Sequence, residues 1–310
     1  MLKIVFLNRS LMSGGIEKCI ELLTLYLNKN HEIEILYLND DKLDENMVKI
    51  LSRYAKVSKL EGQIIKCDVC IFCYLYFDYN KIINQILAKK YWCWIHSKPR
   101  ESPNCILDNK ECICRTSEYI CVSNEVLNKL NIEKQGIVIH NFIDPNIKKL
   151  ADEKVENTKI EDDILKLVVV SRLSKGKGFE RVEKLVKTLE ERNIPYRLQI
   201  IGKGRAEEEK IRESLGKYKG VEFLGYQENP YKYIKQADYL LQLSDYETWG
   251  NAITESKAIG IPCIVTNFPV AKEQIEDEKN GIIVPLELEN YNFIIDKAIK
   301  MKKTLRKNLQ

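Results

Sequence analysis

ADYLLQLSDYETWGNAITESKAIGIPCIV, residues 237–265, holds a strand, a turn, a helix and the start of a second strand. ADYLLQL (237–243) reads as a buried strand, a short apolar run rich in Leu and Tyr. Ser244 to Trp249 forms the loop after it. Gly250 and Asn251 open a helix that ends at the stop Gly260-Ile261-Pro262, and Pro262-Cys263-Ile264-Val265 starts the next strand. A strand, a helix and a strand in succession make a βαβ unit, the building block of parallel sheets. The arrangement sets Glu247 at the carboxyl end of a strand and Glu255 one to two turns into the helix. In open α/β sheets, ligands bind at that end. The E-x7-E interval alone carries no weight, because Glu125/Glu133, Glu153/Glu161 and Glu183/Glu191 repeat it.

Outward from this unit the same alternation runs through the chain. Towards the N-terminus the expected strands are KIVFLN (3–8), EIEILYL (32–38), DVCIFC (68–73), YWCWI (91–95), YICV (119–122) and GIVIH (136–140). GGIEKCIELLTLYLNK has Ile16, Ile20, Leu23 and Leu27 on one helical face, and Asp78 to Lys89 is a second helix candidate. PNIKKLADEKVENTKIEDD (145–163) is polar and charged and reads as a linker. The pattern then restarts with KLVVVS (166–171), the helix FERVEKLVKTLEER, the strand YRLQIIG (196–202), the helix RAEEEKIRESLG, then VEFLG and NPYKYIKQ. The expected architecture is α/β: two doubly wound Rossmann-like domains facing a central cleft, at 1–145 and 164–310, joined by a linker at 146–163.

The 310 residues are 45% hydrophobic and 30% charged, as in a globular protein with full cores. No apolar run reaches the ~18 residues of a membrane-spanning helix, and MLKIVFLN is too short for the apolar region of a signal peptide. The expectation is a cytoplasmic protein whose ten cysteines are reduced thiols. CDVCIFC and ECICR bring Cys67, Cys70, Cys73, Cys112 and Cys114 close in sequence, which allows a metal or cluster reading. An extended strand turns Cys70 and Cys73 to opposite faces, so buried apolar thiols are the better reading. Net charge is +4, much of it in KAIKMKKTLRK (297–307). That segment reads first as a solvated helix face and second as a weak contact with the inner face of a membrane. No basic stripe with interleaved aromatics points to nucleic acid.

Three glycine-bearing loops follow strands: NRSLMSGGIE with Gly14-Gly15, SRLSKGKGFE with Arg172, Lys175 and Lys177, and the loop that ends at Gly250-Asn251. Helix N-termini offer free N–H groups and a partial positive charge to anions. Arg172 can fork two phosphate oxygens and Lys177 can add a point charge. Together they describe a pyrophosphate site. IIGKGRAE has Glu207 where a dinucleotide fingerprint needs its third glycine, and no Walker loop occurs.

Taken in order, SRLSKGKGFERV, LQIIGKGRAEEEKI, VEFLGYQENPYKYIKQAD, SDYETWGNAITESKAIGIPCIV and KEQIEDEKNGIIV resemble the family 4 retaining glycosyltransferases of the GT-B fold. SGGIEK, WIHSK, YICVSN and VIHNFID extend the resemblance over nearly the whole chain. The resemblance implies a nucleotide-diphosphate sugar of UDP or GDP type as donor, no further cofactor, and a glycan or lipid-linked acceptor. It assigns Arg172 and Lys177 to the donor diphosphate and Glu247 to the donor sugar. Gly250 and Asn251 become backbone contacts to sugar and phosphate, and Glu255 takes the ribose hydroxyls. Gly14 and Gly15 match a loop that closes on the donor, and His96 a contact near the reacting carbon. In such enzymes attack comes from the leaving-group face, and a diphosphate oxygen takes the acceptor proton, so Glu247 is not a nucleophile. No metal is implied, since no D-x-D lies at a strand end and the two cations take its place. His140 stands where the family has proline and reads as structural, and Trp249 reads as core. The family runs longer, and its last helix returns to the first domain, whereas this chain stops at Gln310. Two other readings stay open: a nucleotide-sugar epimerase of the same architecture, and a non-catalytic sugar-nucleotide-binding partner of another transferase.

Overall fold

KIVFLN and KLVVVS offer no polar face, so each must be covered on both sides, as in the centre of a parallel sheet. In the computed structural model these runs are β1 (Lys3–Asn8) and β8 (Leu165–Val170). The structure describes residues 1–12, 14–40, 43–74, 82, 84–97, 110–130, 136–155, 163–204 and 206–307. The chain divides into two compact units, Met1–Phe142 and Ile143–Gln310.

In the first unit β1 lies between β2 (Glu32–Tyr37) and β4 (Ile65–Phe72). With β3 (Lys56–Lys59), β5 (Ile86–Ile95), β6 (Thr116–Cys121) and β7 (Gly136–Val138) they form a parallel sheet of order β3-β2-β1-β4-β5-β6-β7. Among the described residues its helices are α1 (Gly15–Leu27), α2 (Glu45–Leu51), α3 (Lys110–Arg115) and α4 (Asn124–Asn128). One strand is added here and two expectations change. KVSK becomes edge strand β3, too polar to announce itself and held by pairing with β2. The helix candidate Asp78–Lys89 falls partly outside the described residues, and its end, Ile86–Lys89, is the start of β5 instead. Ile86 pairs with Ile65, and cross-strand pairing overrides local helix preference. On α1 the deeply buried side chains are Glu17, Cys19, Ile20, Leu22 and Thr24, so Ile16, Leu23 and Leu27 flank the packed face rather than form it.

The second unit opens with α5 (Ile147–Ala151), inside the polar stretch read as a linker. Ile147 and Ala151, one turn apart, are buried in its core, and Asn229 Nδ2 donates to the Leu150 carbonyl at 2.8 Å. Residues 156–162 of that stretch lie outside the described residues. The parallel sheet has the order β10-β9-β8-β11-β12-β13, with β9 (Tyr196–Ile201), β10 (Val221–Gly225), β11 (Tyr239–Gln242), β12 (Cys263–Thr266) and β13 (Gly281–Val284). One face packs Leu167, Val169 and Leu241 against α6 (Phe179–Glu191), α7 (Glu208–Gly216) and α11 (Asn292–Lys307). The other packs Val168, Leu240 and Val265 with α5, α8 (Tyr231–Gln236), α9 (Asn251–Ile259) and α10 (Ala271–Gln274).

The basic C-terminal segment is α11. Lys297 Nζ lies 2.8 Å from Asp277 and 3.1 Å from Glu278, and Lys302 Nζ donates to Asp238 Oδ2 and the Ile164 carbonyl, both at 2.6 Å. Two of its lysines therefore hold the helix to the sheet. The side chains of Lys303, Arg306 and Lys307 lie outside the described residues. Among the described residues no helix is long and apolar enough to cross a membrane.

Candidate functional site

The strand order of the second sheet reverses between β8 and β11, so the loops leaving their carboxyl ends part from each other there. Residues 171–178 follow β8 and residues 243–250 follow β11. Glycine lets these loops touch backbone to backbone. Gly178, the N-cap of α6, has φ +73°, and a Cβ there would sit 1.7 Å from the Leu243 carbonyl oxygen. Gly202, after β9, has φ +138°, and its Cβ would meet the Ser171 carbonyl oxygen at 1.9 Å. Asp245 N donates to the Gly176 carbonyl at 2.9 Å. Arg181, on the first turn of α6, ties the second loop down: its Nη1 donates to Asp245 Oδ1 at 2.6 Å and to the Leu243 carbonyl at 3.2 Å.

This packing brings Lys177 to Glu247. The Lys177 ammonium lies 2.7 Å from Glu247 Oε1, and the two side chains are 21% and 13% exposed. Gln242 Nε2 and Ser244 Oγ each donate to the same oxygen at 2.8 Å. Arg172 stands on the same loop as Lys177 but is exposed, and its guanidinium makes no hydrogen bond or ion pair among the described residues. Gly250 caps α9 with φ +84°, Asn251 is the first residue of that helix, and both are half-buried. Glu255, also half-buried, accepts from the Tyr231 hydroxyl at 3.3 Å. A fixed carboxylate, an ammonium and an exposed guanidinium thus share the switch point of one sheet. Such a set can bind a polyanion and the hydroxyls of a sugar.

Gly14, Gly15 and His96 belong to the first unit, at the carboxyl ends of β1 and β5. Gly14 is the N-cap of α1 with φ −171°, extended backbone open to any residue, and a Cβ would come 3.0 Å from the buried Glu17 carboxylate. His96 is 8% exposed, its ring 4.3 Å from that of Trp94 at 56°. Burial pushes its pKa down to about 3, so the imidazole is neutral at pH 7. Acid therefore works against the fold. Between pH 6.5 and 3 the unfolded chain takes up a proton at this position that the folded chain refuses, so stability falls as pH falls. We expect urea unfolding to show a loss of about 2 kcal/mol from pH 6.5 to pH 5 attributable to His96, and a His96→Asn variant to lack that part of the slope. An unchanged pH slope in the variant would refute the assignment.

The residues read as structural behave so. His140 Nδ1 lies 2.9 Å from the Val122 carbonyl. Trp249 is buried, and its carbonyl accepts from Gln274. Cys67, Cys70 and Cys73 are buried in and beside β4, and burial pushes the Cys67 thiol up to about 11 and raises the other two. At neutral pH they are protonated apolar groups. Sequence reasoning missed Gln242, Ser244 and Arg181. Gln242 had a signal, a lone amide ending an apolar strand, whereas nothing local marked Arg181 as a clamp on residues 62 and 64 positions away.

Residues 151–310 match the model of the family described as glycosyl transferases group 1. The chain is 26% identical over 163 residues to the N-acetylgalactosamine-N,N'-diacetylbacillosaminyl-diphospho-undecaprenol 4-alpha-N-acetylgalactosaminyltransferase of Campylobacter jejuni, a match covering 52% of this chain and 43% of that protein. It is 22% identical over 253 residues to the O-antigen biosynthesis glycosyltransferase WclY of Escherichia coli, covering 81% of this chain and 58% of that protein. The chain thus spans about half the length of the curated relatives it matches. Anabaena HepE, solved in complex with UDP and glucose, superposes with a TM-score of 0.68 at 16% identity, over 100% of this chain and 99% of that one. The two parallel sheets of seven and six strands are those of the GT-B fold.

Proposed function

The chain belongs to the group 1 glycosyl transferases, and from that premise we propose that it moves a hexosyl group, with retention, from a nucleotide-diphosphate sugar to a glycan or lipid-linked acceptor. The observation that carries this reading is the Lys177–Glu247 pair at the switch point of the second sheet, beside Arg172 on the same loop. The Campylobacter relative, named for a diphospho-undecaprenol acceptor, and the O-antigen relative support a place in surface polysaccharide or glycoconjugate synthesis.

In the proposed reaction the anomeric carbon–oxygen bond to the diphosphate breaks, and a bond forms to an acceptor hydroxyl oxygen. The new bond forms on the face the diphosphate leaves, which preserves configuration, and the hydroxyl proton passes to a diphosphate oxygen on that face. Arg172 and Lys177 offset the charge growing on the diphosphate, a role that is strongest in a preorganised, partly desolvated site. Glu247 accepts hydroxyl hydrogen bonds from the hexose and Glu255 from the ribose, as carboxylates do with diols. Gly250 and Asn251 offer backbone N–H groups at the start of α9. For Gly14, Gly15 and His96 the support is the family resemblance and their place at strand ends.

The experiment is a thermal-shift series with UDP, GDP and their hexose conjugates. A ligand at 100-fold over its Kd adds about 2.7 kcal/mol to the bound fold. We expect such a shift with one nucleotide series and its loss in Arg172→Ala. A shift that survives in Arg172→Ala would remove the diphosphate assignment.

A further inference from the structure

Gln242 and Ser244 play no part in the reaction as proposed, yet both are buried and both are spent on one oxygen. Gln242 is 5% exposed and Ser244 fully buried. Gln242 Nε2 has two protons: one goes to Ser244 Oγ at 2.7 Å, the other to Glu247 Oε1 at 2.8 Å. The Ser244 hydroxyl accepts the first and gives its own proton to Glu247 Oε1 at 2.8 Å. Thr266 Oγ1 donates to the Ser244 carbonyl at 2.5 Å and so fixes the backbone beneath. With Lys177, Oε1 takes three donors, while Oε2 takes none among the described residues.

Geometry of this kind has a consequence for Lys177. A polyanion that draws the ammonium away strips a half-buried carboxylate of its cation, which is costly unless other donors remain. Two neutral donors remain. They keep Oε1 in place whichever partner the ammonium takes, and they leave the second carboxylate oxygen available for a hydroxyl.

We propose that Gln242 and Ser244 are positioning residues for Glu247, holding its carboxylate in register for the donor hexose while Lys177 exchanges that carboxylate for the diphosphate. This rests on the donor reading given above. The two act through Glu247 and touch no substrate themselves.

The test compares UDP with UDP-glucose and GDP with GDP-mannose by calorimetry, on the wild type and on Ser244→Ala, Ser244→Thr, Gln242→Met, Glu247→Ala and the Ser244→Ala/Glu247→Ala double variant. Hydrogen bonds to a charged group correspond to about 10- to 100-fold in affinity. The expected result is that Ser244→Ala and Gln242→Met weaken the hexose conjugate by about 10-fold or more, with the bare nucleotide changed by less than about twofold. Ser244→Thr, which keeps the hydroxyl, restores the conjugate. In the Glu247→Ala background, Ser244→Ala adds no further loss, since a residue that acts through another has nothing left to act on. Equal weakening of nucleotide and conjugate, or full additivity with Glu247→Ala, would overturn the proposal and leave the donor reading standing. If Ser244→Ala does not fold, Gln242→Met carries the same comparison. A wild type that binds none of the four ligands would remove the donor reading itself, and this inference with it.

Discussion

Gly178→Val should cost the second unit a large part of its stability. The position needs a backbone in the left-handed region, φ +73°, where a β-branched residue is strained. The new Cβ would also lie 1.7 Å from the Leu243 carbonyl oxygen and 2.4 Å from its carbon. Neither obstacle can swing aside, because both are main chain at the end of a central strand. Relief would require the loop after β8 to part from the loop after β11, which breaks the contact that brings Lys177 to Glu247. Strain at such a φ and forced overpacking each cost about 1–3 kcal/mol, and a clash with backbone lies at the upper end. The sum, upward of about 4 kcal/mol, is a large part of the stability of a domain of this size. Circular dichroism and urea denaturation check it. A variant that folds with wild-type stability would show that the two loops are not packed as described.

Glu247→Ala should separate binding from turnover. The substitution removes the acceptor of three donors and leaves the Lys177 ammonium, 21% exposed, beside the buried Gln242 amide. A fold penalty of about 1–3 kcal/mol follows from the unmet donors. If Glu247 orients the hexose, release of nucleoside diphosphate from the UDP- or GDP-hexose that the wild type consumes should fall by about 10²–10³-fold, the effect of deleting one preorganised polar group. Binding of the bare nucleoside diphosphate should persist, since Lys177 and Arg172 remain. A folded Glu247→Ala protein with full turnover would exclude Glu247 from the reaction.

Much of this molecule is written in local pattern. Unbroken apolar runs such as KIVFLN and KLVVVS can only be central strands, and they are β1 and β8. The Gly-Asn start and Gly-Ile-Pro stop bracket α9 at Asn251–Ile259. Where the local signal is weak, neighbours decide. KVSK is a strand because β2 lies beside it, and ILAKK is a strand because β4 does. Ile147 makes helix in a charged stretch because the second core has room for it.

Local pattern was enough to establish two wound sheets, to put Arg172, Lys177 and Glu247 in loops after strands of the second, and to put Glu255 inside one of its helices. Periodicity and turn chemistry act within a few residues, so they reach that far. It took the folded chain to show that Lys177 meets Glu247 across 70 positions of chain, that Gly178 must lack a side chain because Leu243 passes under it, and that Gln242 and Ser244 each give one proton to the same carboxylate oxygen. Those contacts depend on strand order, and strand order is settled when whole faces are buried against each other.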